Sequence, residues 1–120
     1  MVRIVVGGQM AKAEIAESIK ELTKGQIVEI TVKNDLDAAM AVKNGEADYY
    51  IGACETGAGG ALAMATALLG SNKTVTVASP SRILNEPDIK KCVEGGKVAF
   101  GFTVNTKNTI LPVLMKYLLK

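Results

Sequence analysis

The segment Asp48-Tyr-Tyr-Ile-Gly-Ala-Cys-Glu-Thr-Gly-Ala-Gly-Gly60, continued by the apolar run from Ala61 to Gly70, decides the fold. Tyr49 to Ala53 reads as a short buried strand, Cys54 to Gly60 as a glycine-rich turn, and Gly57 to Leu69 as an apolar helix entered from that turn. A strand that feeds a glycine-rich turn at a helix start leaves backbone N–H groups without intrahelical partners. Those donors, with the positive end of the helix dipole, favour an anion. Gly57, Gly59 and Gly60 lack Cβ, so a ligand can approach the backbone of Thr56 to Gly60, Ala58 included, closely.

The rest of the chain repeats this alternation. Val2 to Val6 is a β-branched strand closed by Gly7-Gly8. From Gln9 to Lys24, apolar residues recur at helical spacing (Ala11, Ile15, Ile19, Leu22), and Gly25 ends the helix. Gln26 to Val32 is a second strand. Asn34 or Asp35 caps a short helix that buries Leu36, Ala39 and Met40 and stops at Asn44-Gly45. Lys73 to Ala78 is a fourth strand and Ser79-Pro-Ser-Arg82 a loop. A helix over Glu86 to Glu94 tolerates Pro87 in its first turn. Lys97 to Gly101 is a fifth strand. The last helix carries Ile110, Leu114, Tyr117 and Leu118 on one face, with Pro112 in its first turn or at a kink.

Five strands alternating with five helices predict one α/β domain over residues 1–120, a three-layer α/β/α sandwich around a five-stranded parallel sheet. The expected strand order is the flavodoxin-like, Rossmann-like 2-1-3-4-5, whose topological switch lies between strands 1 and 3. Ligands bind such sheets at the carboxyl ends of the strands. The loops meeting at that point are Gly7-Gly8-Gln9 and Cys54–Gly60, so pattern and glycines converge on one place.

Composition excludes several function classes. Fourteen basic and twelve acidic residues leave a net charge of +2, and three Tyr, two Phe and no Trp provide no stacking platform, so no nucleic acid is expected. The chain has no histidine, and its two cysteines, Cys54 and Cys92, are far apart, so neither a metal site nor a cofactor is expected. Its longest apolar run, Ala61 to Leu69, is well short of the ~20 residues that span a bilayer. A reduced, cytoplasmic setting is the default expectation.

Cys54 at a helix start has the placement of a nucleophile or base, though a small buried side chain is the plainer account. Glu55 is a candidate acid or base, or simply a carboxylate favoured at a helix N-terminus. Thr56 serves equally as an N-cap. Ser79, Ser81 and Arg82 follow strand 4 at the same edge, where Arg82 has the fork geometry to clamp an anion, a solvated surface arginine being the equal alternative. Gln9 and Asn105 follow strands 1 and 5 and are candidates for neutral hydrogen bonds or simply helix or turn residues, whereas Cys92 falls mid-helix and reads as packing. The helix Ala61–Leu69 has almost no polar face, which predicts cover from a second subunit and hence a homo-oligomer, most simply a dimer.

Two resemblances follow from these residues. Asn34-Asp-Leu-Asp-Ala-Ala-Met-Ala-Val-Lys43, Asp48 to Gly60, and Gly96-Lys-Val-Ala-Phe-Gly101 resemble the small bacterial YhfU-type family, a domain of unknown function; that resemblance implies a small-metabolite setting. Gly45-Glu-Ala-Asp48 through Cys54-Glu-Thr-Gly-Ala-Gly59 is similar to the ribose-5-phosphate isomerase B family. That similarity implies Cys54 as an enediol-forming base, with Thr56, Gly57 and Gly59 stabilising the oxyanion. The family's first loop carries an Asp-His pair. Here the loop is Gly7-Gly8-Gln9, which rules out ring opening by histidine.

The expected function is therefore the binding of a small anionic metabolite, sugar phosphates included, with isomerase-like chemistry at Cys54 or Glu55. The alternatives are a non-catalytic partner subunit and a phosphocysteine carrier of the phosphotransferase IIB type. The carrier places its cysteine after strand 1, whereas Cys54 follows strand 3.

Overall fold

The strands form where β-branched and aromatic residues run together, and the helices where apolar residues recur every three or four positions. The computed structural model describes residues 1–54, 62–79 and 81–119. In chain order its elements are β1 (Val2–Gly8), α1 (Lys12–Leu22), β2 (Val28–Val32), α2 (Asp35–Lys43), β3 (Tyr49–Cys54) and α3 (Ala63–Leu69). They continue with β4 (Thr74–Thr76), β5 (Ala78–Ser79), β6 (Arg82–Ile83), α4 (Glu86–Glu94), β7 (Ala99–Thr103) and α5 (Lys107–Leu118).

Five strands pair in parallel in the order β2-β1-β3-β7-β4, and β5 and β6 form a separate antiparallel pair. The three-layer α/β class and the parallel sheet are as the sequence predicts. The order of the last two main strands is not: β7 lies between β3 and β4, so the order is 2-1-3-5-4 where 2-1-3-4-5 is expected. Burial supplies the reason. All five residues of β7, Ala-Phe-Gly-Phe-Thr, are buried, whereas the three of β4 run from buried to exposed. A strand covered on both faces belongs inside the sheet, and a short alternating one belongs at its edge.

The sheet divides two apolar layers. Ile4, Val6, Ile51, Phe100 and Phe102 face Ile15 and Ile19 of α1, Ile89 of α4, and Ile110, Leu111 and Leu114 of α5. On the other face Val5, Tyr50 and Ala99 meet Ala38, Ala39 and Ala41 of α2 with Leu62 and Ala65 at α3. The small side chains of α2 let it lie close to the sheet. Asn34 caps α2 by accepting from the Asp37 amide at 2.8 Å, and Asn85 caps α4 from the Asp88 amide at 2.9 Å. Pro112 sits inside α5, in its second turn, and is exposed, so the missing N–H faces the solvent side. Cys92 packs partly buried against the larger core layer, as its mid-helix place suggests.

Because β1 pairs with β2 on one side and β3 on the other, the chain leaves its carboxyl end in two directions, which is the switch point. There β1 closes through Gly8 at φ +80, where an added Cβ would stand 2.7 Å from the Ala53 backbone nitrogen. Gly25 has a similar φ of +87 with nothing within 4 Å of the same position. Gly25→Ala therefore costs only left-handed strain, about 1 kcal/mol. Gly8→Ala adds a backbone collision, for roughly 2–5 kcal/mol. Urea unfolding of the two variants is the check, and equal costs would contradict the packing at the switch.

Candidate functional site

Three glycines, Gly7, Gly52 and Gly101, stand side by side on β1, β3 and β7. Together they open a trough across the sheet on the face covered by α2. Tyr50 fills it: a Cβ at Gly7 would lie 2.7 Å from the tyrosine ring, and one at Gly52 would lie 3.0 Å from its hydroxyl. Leu62 fills the far end, 2.7 Å from a Cβ at Gly101. The fully buried Tyr50 thus lies along its own strand and delivers its hydroxyl to the carboxyl edge, where it donates to Asp35 Oδ1 at the start of α2.

Burial, and then the Asp35 carboxylate, push the Tyr50 phenol far above the ordinary tyrosine range, and hydrogen bonding from the Gly8 backbone only partly opposes them. The hydroxyl remains a proton donor throughout the working pH range. Asn34 does the capping, which leaves the Asp35 carboxylate for this contact.

The chain beyond β1 folds back over β3. The Gln9 and Met10 amides both donate to the Ala53 carbonyl, at 3.0 and 3.2 Å. Ala11, the N-cap residue of α1, is held at φ 58, the one non-glycine positive φ among the described residues. A left-handed alanine costs about 1–2 kcal/mol, so this short arc carries strain next to the switch point. The half-buried Lys12 reaches back so that its Nζ stands 3.4 Å from the Gly8 carbonyl, which brings a cation to the same edge.

Cys54 ends β3 with 2% of its surface exposed and pairs in register with Thr103, the last residue of β7. Thr103 is buried; its Oγ1 stands 3.5 Å from Thr106 Oγ1, and Thr106 Oγ1 donates to the Thr103 carbonyl at 2.7 Å. The helices that start beside Cys54, α1 after β1 and α5 after β7, have no side-chain cap. Those starting after β2 and β6, α2 and α4, each have an asparagine cap. A cap stabilises a helix by ~1 kcal/mol. At α1 its absence leaves first-turn N–H groups without a side-chain acceptor, as an anion site requires, whereas at α5 the first N–H, that of Lys107, donates to the Val104 carbonyl of the preceding 3-10 turn.

The sequence-derived residues fall into three groups. Gly7, Gly8, Gln9 and Cys54 come together at the junction of β1 and β3. Glu55, Thr56, Gly57, Ala58, Gly59 and Gly60 lie outside the described residues. Ser79, Ser81 and Arg82 belong to the β5–β6 pair, where Ser79 Oγ stands 3.4 Å from both Ser81 Oγ and the Arg82 carbonyl. With β7 interposed, they sit one strand further from Cys54 than the expected order implies, and Thr103 occupies the neighbouring position. Thr103, Tyr50, Asp35 and Lys12 are the polar groups that sequence reasoning missed. The fully apolar Ala-Phe-Gly-Phe run was the signal for β7, and hence for Thr103; the other three depend on register and side-chain direction. Among the described residues there is no cluster of metal-ligating side chains and no helix long and apolar enough to cross a membrane.

The family model described as "Protein of unknown function DUF2620" matches residues 2–118. The uncharacterized protein YhfU of Escherichia coli strain K12 is 42% identical over 118 residues, covering 98% of this chain and 99% of that one. Among solved structures, ribose-5-phosphate isomerase B from Giardia lamblia superposes with a TM-score of 0.72 at 14% identity, over 99% of this chain and 94% of that one. The type B ribose 5-phosphate isomerase of Trypanosoma brucei gives 0.68 at 16% identity, over 98% and 85%. These two likenesses establish the fold.

Removing the Tyr50 hydroxyl strips Asp35 of its donor and tests the trough directly. Tyr50→Phe should destabilise the fold by about 1–3 kcal/mol in urea unfolding. The folded-state pKa of this group is raised, so its contribution is intact below the unfolded value near 10.0 and is lost as pH rises beyond it. Between wild type and Tyr50→Phe, the alkaline fall in stability should therefore lessen by up to ~1.4 kcal/mol per pH unit. Superimposable alkaline limbs would contradict the placement.

Proposed function

The chain belongs to the DUF2620 family, and we propose that it binds a small phosphorylated metabolite at the carboxyl edge of β1, β3 and β7 and isomerises it through Cys54. The observation that carries this reading is the position of Cys54. It ends the central strand between the Gly8–Gln9 arc and Thr103, and it leads directly into Glu55-Thr-Gly-Ala-Gly-Gly60.

The fold resemblance to enzymes whose names state ribose 5-phosphate isomerisation supplies the reaction class. In an aldose–ketose isomerisation, the Cys54 thiolate removes the proton from C2. The C2–H electron pair becomes the C1–C2 double bond, and the carbonyl oxygen becomes an enediolate oxyanion. A proton returned to C1, with transfer of the O2 proton to O1, completes the ketose. The sequence is redox-neutral and needs no cofactor. Backbone N–H groups of residues 56–60 are the proposed oxyanion donors. Lys12 and the uncapped start of α1 are the proposed partners of the phosphate.

The lack of histidine narrows the substrate. A pentose phosphate is mostly cyclic and has to be opened by an acid–base group, whereas a tetrose 4-phosphate or triose phosphate has no free hydroxyl placed to close a furanose. We infer a preference for short, open-chain aldose phosphates.

Incubation in D2O with erythrose 4-phosphate, glyceraldehyde 3-phosphate and ribose 5-phosphate, followed by proton NMR, tests both parts. The reading expects ketose formation and deuterium at the carbon next to the carbonyl, faster for the two shorter substrates. Both should fall by at least about 100-fold in Cys54→Ala, the scale of a lost general base. Turnover equal in Cys54→Ala, or deuterium incorporation with none of the three, would overturn it.

A further inference from the structure

The opposite, amino edge of the sheet holds a hollow of about 450 Å³ between the start of β1, the start of β3 and the ends of α2 and α3. That size falls within the roughly 300–1,000 Å³ of small-molecule sites. Its charged lining is Arg3, Lys43, Lys73 and Asp48, with Leu68 and Val98 among its apolar walls.

The single carboxylate in this lining is already spent. Asp48 accepts from the Arg3 backbone amide at 2.8 Å and from the Arg3 guanidinium at 3.3 and 3.1 Å. The Asp48 amide donates back to the Arg3 carbonyl at 2.8 Å, so this pair fastens β1 to β3 and forms a fixed floor. Two guanidinium N–H groups go to Asp48, and the remaining donors of that fork are uncommitted to it.

Lys43 and Lys73 are exposed and have neither a hydrogen bond nor an ion pair from their side chains among the described residues. The neighbouring Lys97 is different: its Nζ is held by the Asn72 carbonyl at 3.0 Å, with the Ser71 carbonyl at 3.5 Å. The last turns of α2 and α3 border the hollow, and at α2 the Met40, Ala41 and Val42 carbonyls are taken by the amides of Asn44, Gly45, Glu46 and Ala47 rather than turned toward it. Three cations against one committed carboxylate, over an apolar wall, suit one chemistry.

We propose that this hollow binds a small organic oxyanion, a carboxylate or phosphate monoester, whose apolar body lies on Leu68 and Val98 while Lys43 and Lys73 take the charge. The site lies at the end of the sheet opposite Cys54 and does not depend on the function proposed there.

Isothermal titration calorimetry on the whole chain tests it, with hexanoate and phenyl phosphate as probes and inorganic phosphate as the probe without an apolar body. Wild type should give saturable binding of both organic probes and weaker binding of inorganic phosphate. Lys43→Gln/Lys73→Gln changes two exposed side chains and should unfold at the wild-type Tm, with binding of both probes weakened by about tenfold or more. Cys54→Ala should bind like wild type. No saturable heat with either organic probe, undiminished affinity in the double variant, or affinity lost in Cys54→Ala would each overturn the proposal.

Discussion

Tyr50 lies along the sheet because Gly7 and Gly52 leave room for its ring, and its hydroxyl is fixed at the carboxyl edge by Asp35. Much of the rest depends on that contact. It joins β3 to the start of α2 and sets how closely the alanine-lined face of that helix can approach. It also occupies the space over Gly7, from which the chain turns through Gly8 and back onto the Ala53 carbonyl. A side chain at Gly7 or Gly52 would displace the Tyr50 ring, and one at Gly8 would meet the Ala53 backbone beside Cys54.

Around that point the fold holds polar groups at unequal cost. The buried tyrosine and threonines have partners within the protein, and no buried side-chain polar atom among the described residues lacks one. The backbone differs: an alanine sits in a left-handed conformation, and α1, α3 and α5 begin without the side-chain caps that α2 and α4 possess. Conformational strain and missing caps next to a buried cysteine form the pattern expected where backbone donors are reserved for a ligand. The amino edge is built on another principle. Its polar groups are long cationic side chains around one ion pair, so the recognition proposed there rests on charge rather than on backbone amides.

The alternation of strands and helices was legible from local pattern, down to Asn34 as one of two candidate caps of α2 and Pro87 in the first turn of α4. So was the meeting of Gly7-Gly8-Gln9 with the end of β3, since glycine pairs and strand ends are local signals. The position of β7 was not, because strand order depends on which strand is buried on both faces, a property of the whole sheet. That one exchange replaces the Ser79–Arg82 segment with Thr103 beside Cys54. The glycine trough was illegible for a related reason. Gly7, Gly52 and Gly101 are far apart in sequence and become one feature only when the register aligns them. Tyr50 and Asp35 likewise read as strand and cap residues until a side-chain direction joins them.

The account turns on the claim that the carboxyl edge at β1, β3 and β7 is where the metabolite binds. An amide nitrogen–proton correlation spectrum of the labelled protein, titrated with erythrose 4-phosphate, tests this most directly. The account predicts saturable shifts concentrated on Gly8, Gln9, Lys12, Cys54, Thr103 and the amides of residues 55–61. Shifts confined to the amino edge, or none at saturating sugar phosphate, would contradict it.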